Sequence, residues 1–390
     1  MSPRRGGRKL RVVFCHFTAD ICGGADYSLY HMIKYLPRDQ IEPLLILKKG
    51  DPMAETYRGL GLDVLQLDLV PPRRAFEPGK LFRYFASFLP SVIQVSRAIR
   101  RLDADVVHVN TLYNLQCAFA ARLAARPLVW HIREMGSDSR PARVMLRCVS
   151  LLATRAVAIS QAVAGTLGRC GPRLRTIYDG IELSKFDVPP EVGRVRTELK
   201  LAPGAPVVTT VDRIEPWKGQ HVLIEAVPRI LEKHPDARIL IVGAPAANKP
   251  EYERRLRARC MELGIEDNVL FTGIRRDIPD VLAASSVLVL PSATPEPFGL
   301  TVVEAMAAGC PVVATAAGGP LESVLDGGTG WLVPPNDSEA IAERVCRILE
   351  HPGDAQEMGQ RGRERARKCF AVERYAQEMA ALLEEVASPR

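Results

Sequence analysis

The 390-residue chain is 47% hydrophobic and 25% charged, which excludes a disordered or fibrous protein and allows a sizeable core. That length exceeds one ordinary core and predicts two domains. The net charge of +7 is uneven: residues 1–190 hold 28 Lys/Arg against 16 Asp/Glu, and residues 191–390 hold 24 against 29, so the front half is expected to face something anionic.

Arg4, Arg5, Arg8, Lys9 and Arg11 precede an apolar run that is too short for a signal peptide and is soon followed by Asp20. The reading is a basic tail entering a first strand, Leu10 to Phe17. Gly23-Gly24 and a helical stretch from Asp26 to Leu36 come next. Leu44 to Leu47, Asp105 to Val109, Leu128 to Ile132 and Ala156 to Ile159 read as further strands, with a helical pattern at Leu115 to Ala125. Val188-Pro189-Pro190 breaks both helix and strand and marks a domain boundary. The same alternation then restarts. Strands are expected at Val207 to Val211, Arg238 to Val242, Asn268 to Thr272, Val287 to Leu290 and Pro311 to Ala314. Helices are expected at Gln220 to Leu231, Tyr252 to Leu263 and Ala371 to Val386. Two such runs imply the α/β class, with parallel sheets covered on both faces in two Rossmann-like domains.

Nine cysteines, none in a C-x-x-C pair, read as buried reduced thiols rather than a disulfide framework or zinc site. No stretch of about 18 uncharged apolar residues exists, so no transmembrane helix is expected. Residues 71–101 stand apart. Arg73, Arg74, Lys80, Arg83, Arg97, Arg100 and Arg101 meet one acid, Glu77, while Leu81, Phe82, Phe85, Phe88 and Leu89 share a helical face that Pro90 is expected to end. Two readings stay open: an interfacial helix on an anionic membrane surface, or a helix packed on its own domain with a solvated basic side.

The residues that carry chemistry concentrate in the back half. In PSATPEPFGLTVVEAMAAG, Pro291 to Gly309, a buried strand ends, a Pro/Gly-rich loop follows, and a helix starts near Gly299. Such a helix start offers backbone N–H groups and a positive dipole end to a phosphate. Glu296 stands in the loop and Glu304 inside the helix, where its carboxylate can accept two hydroxyl hydrogen bonds. Arg213 and Lys218, in VDRIEPWKGQHVLIEA, follow the strand Val207 to Val211 and supply two cations. His131 lies at the end of the strand in WHIRE. His108, within DVVHVN, reads equally as an acceptor-site group or a structural histidine. Asp103-Ala-Asp105 precedes a strand rather than ending one, and is read as a cap and turn rather than a metal motif.

The segment from Glu296 to Glu304 resembles the E-x7-E motif of retaining nucleotide-sugar glycosyltransferases of the GT-B fold, in particular family 4. The resemblance covers nearly the whole chain and is weakest over residues 50–100. It implies two Rossmann-like domains facing each other across a cleft, residues 1–188 on the acceptor side and 189–370 on the donor side, with a helix at 371–390 crossing back. It implies Glu304 on the donor ribose, Glu296 at the transferred sugar, and Arg213 and Lys218 on the diphosphate. Gly23 and Gly24 and the N–H groups of Phe298, Gly299 and Leu300 would face phosphates, Gly273 and Ile274 would read the base, and His131 would contact the donor sugar. Asp212 departs from the glycine usual before this arginine. The resemblance implies transfer to a glycan or lipid-linked acceptor in cell-surface polysaccharide or glycolipid biosynthesis, without metal or other cofactor. The expected setting is cytoplasmic, optionally peripheral at the inner face of the membrane, with no nucleic-acid partner. A non-catalytic sugar-nucleotide-binding protein, a phosphorylase and a sugar-nucleotide epimerase are the alternatives.

Overall fold

The computed structural model describes residues 8–18, 23–69, 78–136, 139–245 and 250–388. The chain forms two compact units, Met1–Gly180 with Val372–Arg390, and Ile181–Ala371. The first unit holds β1 (Leu10–His16), β2 (Ile41–Lys48), β3 (Val64–Leu67), β4 (Val106–Asn110), β5 (Leu128–Ile132), β6 (Arg155–Ala158) and β7 (Leu174–Thr176). They form one parallel sheet in the order β3-β2-β1-β4-β5-β6-β7. The second unit holds β8 (Val207–Val211), β9 (Arg238–Val242), β10 (Val269–Gly273), β11 (Val287–Leu290), β12 (Val312–Thr315) and β13 (Trp331–Val333), parallel in the order β10-β9-β8-β11-β12-β13. Each unit is thus a Rossmann-like α/β domain.

In both sheets the strand order reverses after the third strand. β1 and β4, and likewise β8 and β11, are neighbours whose connections leave in opposite directions. The carboxyl ends of such a strand pair open a crevice that no connection fills. This topology decides where polar side chains can gather in a chain whose strands are otherwise apolar. The residues of β8 and β9 split between the faces of their sheet. Val208, Ile239 and Ile241 join the core on one side, and Val207, Leu240 and Val242 the core on the other.

Three strands escape the sequence pattern: β3 (VLQL), β7 (LRT) and β13 (WLV). All three are sheet edges. An edge strand is short and half covered, so it lacks the continuous apolar run that marks β4 or β11. The unit boundary also differs from the expected one. It falls at Gly180–Ile181 rather than at Val188, because Ile181 is already buried in the second unit, where its N–H donates to the Phe370 carbonyl at 2.9 Å. The helix Val372–Ala387 belongs to the first unit. Its Tyr375, Met379, Leu382, Leu383 and Val386 recur at three- and four-residue spacing and join Phe14, Leu29 and Ile33 in one core. Each such buried aliphatic side chain contributes about 1.5–3 kcal/mol.

The helix Pro78–Arg101 corrects a second expectation, since it runs through Pro90. A proline removes one backbone donor, and here the following turns are held by buried Val92, Val95, Ala98 and Ile99. Among the described aromatic side chains of this segment, Tyr84 is buried, and Phe88 meets Phe119 of the helix Leu115–Leu123 edge-on at 5.8 Å. These two pack on their own unit rather than forming an outward face. Residues 71–77, and the side chains of residues 80–83 and Phe85, lie outside the described residues. The cysteines among the described residues are free, and most are buried. Cys22 lies outside them. Asp105 accepts the Arg11 N–H at 2.8 Å, and Asp103 pairs with Arg8, as a strand-entry turn requires.

Candidate functional site

In the second unit the crevice lies beyond the ends of β8 and β11. The loop after β8 carries Asp212, Arg213, Glu215, Trp217 and Lys218. The loop after β11 carries Ser292 and Glu296. Lys218 is 8% exposed and Glu296 5%. The Lys218 ammonium donates to both Glu296 oxygens at 3.0 Å and lies 2.5 Å from Asp212 Oδ2 and 4.1 Å from the centre of the Trp217 ring. Burial works against this charge, but Asp212 and Glu296 outweigh it and hold the ammonium above its ordinary value. Burial likewise pushes the Asp212 carboxyl up to about 6, against the pull of Lys218 and with Glu296 adding to the rise.

Close backbone packing fixes the two loops. Glu296 donates its N–H to Ala317 and accepts from Gly319 N–H at 2.8 Å, while Ser292 Oγ donates to its Oε2 at 2.9 Å. Gly318 sits at φ 81°, and a Cβ there would stand 2.0 Å from the Glu296 carbonyl. Gly219, at φ 72°, approaches the Pro291 carbonyl as closely. These contacts tie the β11 loop to the β8 loop through Gly219 and to the loop after β12 through Gly318, and only glycine fits them. Glu296 is therefore not at the loop mouth, as the sequence suggested, but inside, anchoring Lys218. Arg213 differs from Lys218. Its backbone is held by Asp212 Oδ1 and Gln220, but its guanidinium is 40% exposed and 3.4 Å from Glu215.

Beyond Glu296, Phe298 is buried against Phe370, and Gly299 at φ 85° caps the helix Leu300–Ala308 without a side-chain bond. The first turn of this helix carries no side-chain cap, and Gly299 packs against the Glu296 side chain. Glu304 stands one turn further on. Burial pushes its carboxyl up to about 7, with Lys185 opposing and Asp212 adding. Gly273, at φ 71°, ends β10, and Ile274 is 67% exposed beyond it. β10 lies two strands over from β8.

The crevice of the first unit is more densely wired than the sequence indicated. Gly23 caps the helix Gly24–Tyr35, and its N–H donates to Asp26 Oδ2 at 2.6 Å. His16, at the end of β1, joins Asp26 at 2.6 Å and Asn110, at the end of β4, at 3.0 Å. Arg133, just past β5, donates to Asn110 at 2.7 Å, to both Asp179 oxygens at 2.8 and 2.6 Å, and to the Tyr375 hydroxyl at 2.7 Å. Burial opposes this guanidinium, yet Asp179 and Tyr375 raise it above its ordinary value. His131 lies one residue before the end of β5. It is fully buried, 3.3 Å from His108 and against the Tyr375 ring, and the polar group standing at the strand end is Arg133. Burial, with Arg133 adding, keeps both histidines neutral, His108 down to about 3 and His131 well below its usual value. His108 is thereby an interior residue as well. His16 and Asn110, at the ends of β1 and β4, could have been found from the rule that ligand crevices open at switch-point strand ends. Asp179 and Tyr375 come from distant segments and leave no local signal.

Residues 193–365 match the family model described as Glycosyl transferases group 1, and residues 22–185 match Glycosyltransferase Family 4. Over 189 residues the chain is 33% identical to a trehalose synthase of Pyrococcus horikoshii, covering 47% of this chain and 45% of that one. It thus spans about half the length of that relative. It is 30% identical over 231 residues to the lipopolysaccharide core biosynthesis mannosyltransferase LpsB of Rhizobium meliloti, covering 58% of this chain and 66% of that one. Among solved structures, Anabaena Alr3699/HepE in complex with UDP and glucose superposes with a TM-score of 0.83 at 28% identity, over 96% of this chain and 99% of that one.

Proposed function

The chain belongs to glycosyltransferase family 4, with the GT-B fold, and from that premise we propose that it transfers a sugar from a nucleotide-sugar donor to a glycan or lipid-linked acceptor, with retention of configuration. The observation that carries this reading is the buried ammonium of Lys218 at the β8–β11 switch point, held by Glu296 in the loop that leads into the uncapped first turn of the helix Leu300–Ala308. When the bond from the sugar to the distal phosphate breaks, negative charge grows on the diphosphate. The acceptor hydroxyl oxygen bonds to the sugar carbon, and its proton passes to the departing phosphate. Lys218, Arg213 and the N–H groups around Leu300 stabilise that charge more than they stabilise the ground state. Glu304 takes the ribose hydroxyls, Gly273 and Ile274 the base, and Glu296 holds Lys218 in place. The binding of UDP by Anabaena HepE supports a donor of this class, and the likeness to LpsB supports a role in cell-surface glycan or glycolipid synthesis.

The test is nucleotide release from a panel of UDP-, GDP- and ADP-linked sugars, with and without Glu304→Ala. Release from at least one donor is expected, falling about 100-fold or more in the variant while its circular dichroism is unchanged. Full activity in Glu304→Ala removes that carboxylate from the site.

Among the described residues no helix is long and apolar enough to cross a membrane. We propose peripheral contact instead. Exposed Arg97 and Arg101 border an apolar groove of about 760 Å³, lined by Leu65, Leu67, Pro90 and Ile93. Arg97→Glu/Arg101→Glu is expected to weaken binding to phosphatidylglycerol-containing vesicles at least tenfold, at about 1 kcal/mol per basic residue. An unaltered protein that ignores such vesicles in a flotation assay ends the proposal.

A further inference from the structure

We infer that Asp212 is a positioning residue that holds the place of the donor diphosphate on Lys218, so that donor binding takes up a proton onto this carboxyl. The inference rests on the donor site proposed above. An ammonium has three N–H donors. On Lys218 they face Glu296, with both oxygens at 3.0 Å, and Asp212 Oδ2 at 2.5 Å, while the Trp217 ring covers one side. A phosphate can reach Lys218 only if one carboxylate yields.

Glu296 is the less able to move. Its backbone is bonded on both sides, Ser292 holds its Oε2, and Gly318 packs on its carbonyl. Asp212 is bound to Lys218 through one oxygen and through the other to its neighbour's N–H, that of Arg213 at 2.8 Å. Its side chain is also 15% exposed, against 7% for Glu296. Charge balance points the same way. Among the described residues the charged groups around Lys218 and Glu304 are the cations Lys218, Arg213 and Lys185, the last paired with Glu182, and the acids Asp212, Glu215, Glu296 and Glu304. A doubly charged diphosphate brought to such a set meets no surplus of positive charge. A proton on Asp212 cancels one negative charge and releases an N–H of Lys218 in the same step.

The free carboxyl titrates at about 6, chiefly because it is buried, so the proton is within reach of neutral pH. If the protonated form is the one that binds donor, apparent affinity is reduced by the fraction protonated. That reduction is roughly 30-fold at pH 7.5 and roughly twofold at pH 6. The sign follows: wild-type affinity falls as pH rises from 6 to 8.

The experiment is isothermal titration of the full chain with UDP-glucose, or with whichever UDP-, GDP- or ADP-linked hexose binds. It is run at pH 6 and pH 7.5 in two buffers of different ionisation enthalpy. Both phosphates of such a donor are esterified and lack the second ionisation near pH 6, so the protons exchanged belong to the protein. Wild type is expected to take up close to one proton at pH 7.5. Asp212→Asn is expected to lose most of that uptake and to bind about ten- to thirtyfold tighter at pH 7.5, with little change at pH 6. Asp212→Ser is the second variant if the asparagine form misfolds. Unchanged proton uptake in both Asp212 variants, or none in a wild type that binds donor, overturns the inference. Undiminished donor binding by Lys218→Met overturns the site itself, which is a separate failure.

Discussion

Lys218→Met is expected to lower kcat/KM for the nucleotide-sugar donor by about 10²–10³-fold, the scale of removing a preorganised group from developing negative charge. It is also expected to destabilise the second unit, because methionine fills the volume but leaves Asp212 and Glu296 facing each other without the cation between them. Breaking a buried ion pair from one side costs about 3–5 kcal/mol. The two effects separate with pH. Asp212 already has a carboxyl raised above its unfolded value by burial, and removing Lys218 raises it further. A carboxyl raised in the folded state holds its proton more tightly there. Its penalty is absent below the unfolded value and grows as pH rises through the folded one. The stability loss is therefore smallest near pH 5 and largest above pH 7, whereas the catalytic loss persists at every pH. Thermal denaturation at pH 5 and pH 8, beside donor turnover at both, checks this. Equal denaturation shifts at the two pH values would contradict the arrangement of Asp212 and Glu296 around one ammonium.

Arg133→Met is expected to produce the largest stability loss in the first unit. Arg133 is 6% exposed and Asp179 2%, and one guanidinium nitrogen, Nη1, donates to both Asp179 oxygens. The substitution leaves Asp179 charged and buried, together with an unanswered Asn110 oxygen, at a cost of about 3–5 kcal/mol. For a unit of this size that is a fall of roughly 10 °C in its melting temperature. Arg133→Lys keeps the charge but not the fork, and is expected to recover only part of the loss. Arg133→Met with Asp179→Asn should be more stable than Arg133→Met alone, because the stranded charge is gone. A double variant no more stable than the single one would show that Asp179 is not the group left unsatisfied.

The alternation of strand and helix was legible because parallel strands covered on both faces must be apolar throughout. Runs such as VVHVN at β4 and VLVL at β11 have no other economical reading. The edges β3, β7 and β13 were not legible, since half-covered strands carry little pattern. In the second unit the loop residues that meet at Lys218 were found because a strand, a glycine-rich loop and a helix start stand close together in the sequence. Their mutual arrangement was not found. Glu296 was expected at the loop mouth, and nothing in the spacing of Glu296 and Glu304 says that the first turns inward to a lysine 78 positions earlier. Asp212 was noticed as a departure from glycine, but its contact with the ammonium became visible only in three dimensions. In the first unit the sequence singles out His131 and passes over Arg133. Side chains alternate along a strand and these two stand two positions apart, so spacing alone does not tell the interior group from the terminal one.

The helix Val372–Ala387 gives the chain an order of assembly as it leaves the ribosome. The second unit is one continuous stretch, Ile181–Ala371, and every strand of its sheet has emerged before that helix is made. The first unit, although synthesised first, must wait. Until residue 375 appears, the Arg133 guanidinium lacks its tyrosine partner, and the surface of Phe14, Leu29 and Ile33 lacks the apolar face that closes it. Nascent domains usually mature in the order in which they are made. Here the unit begun first is finished last, and its apolar surface stays open to chaperones, or to misassembly, throughout the synthesis of the second.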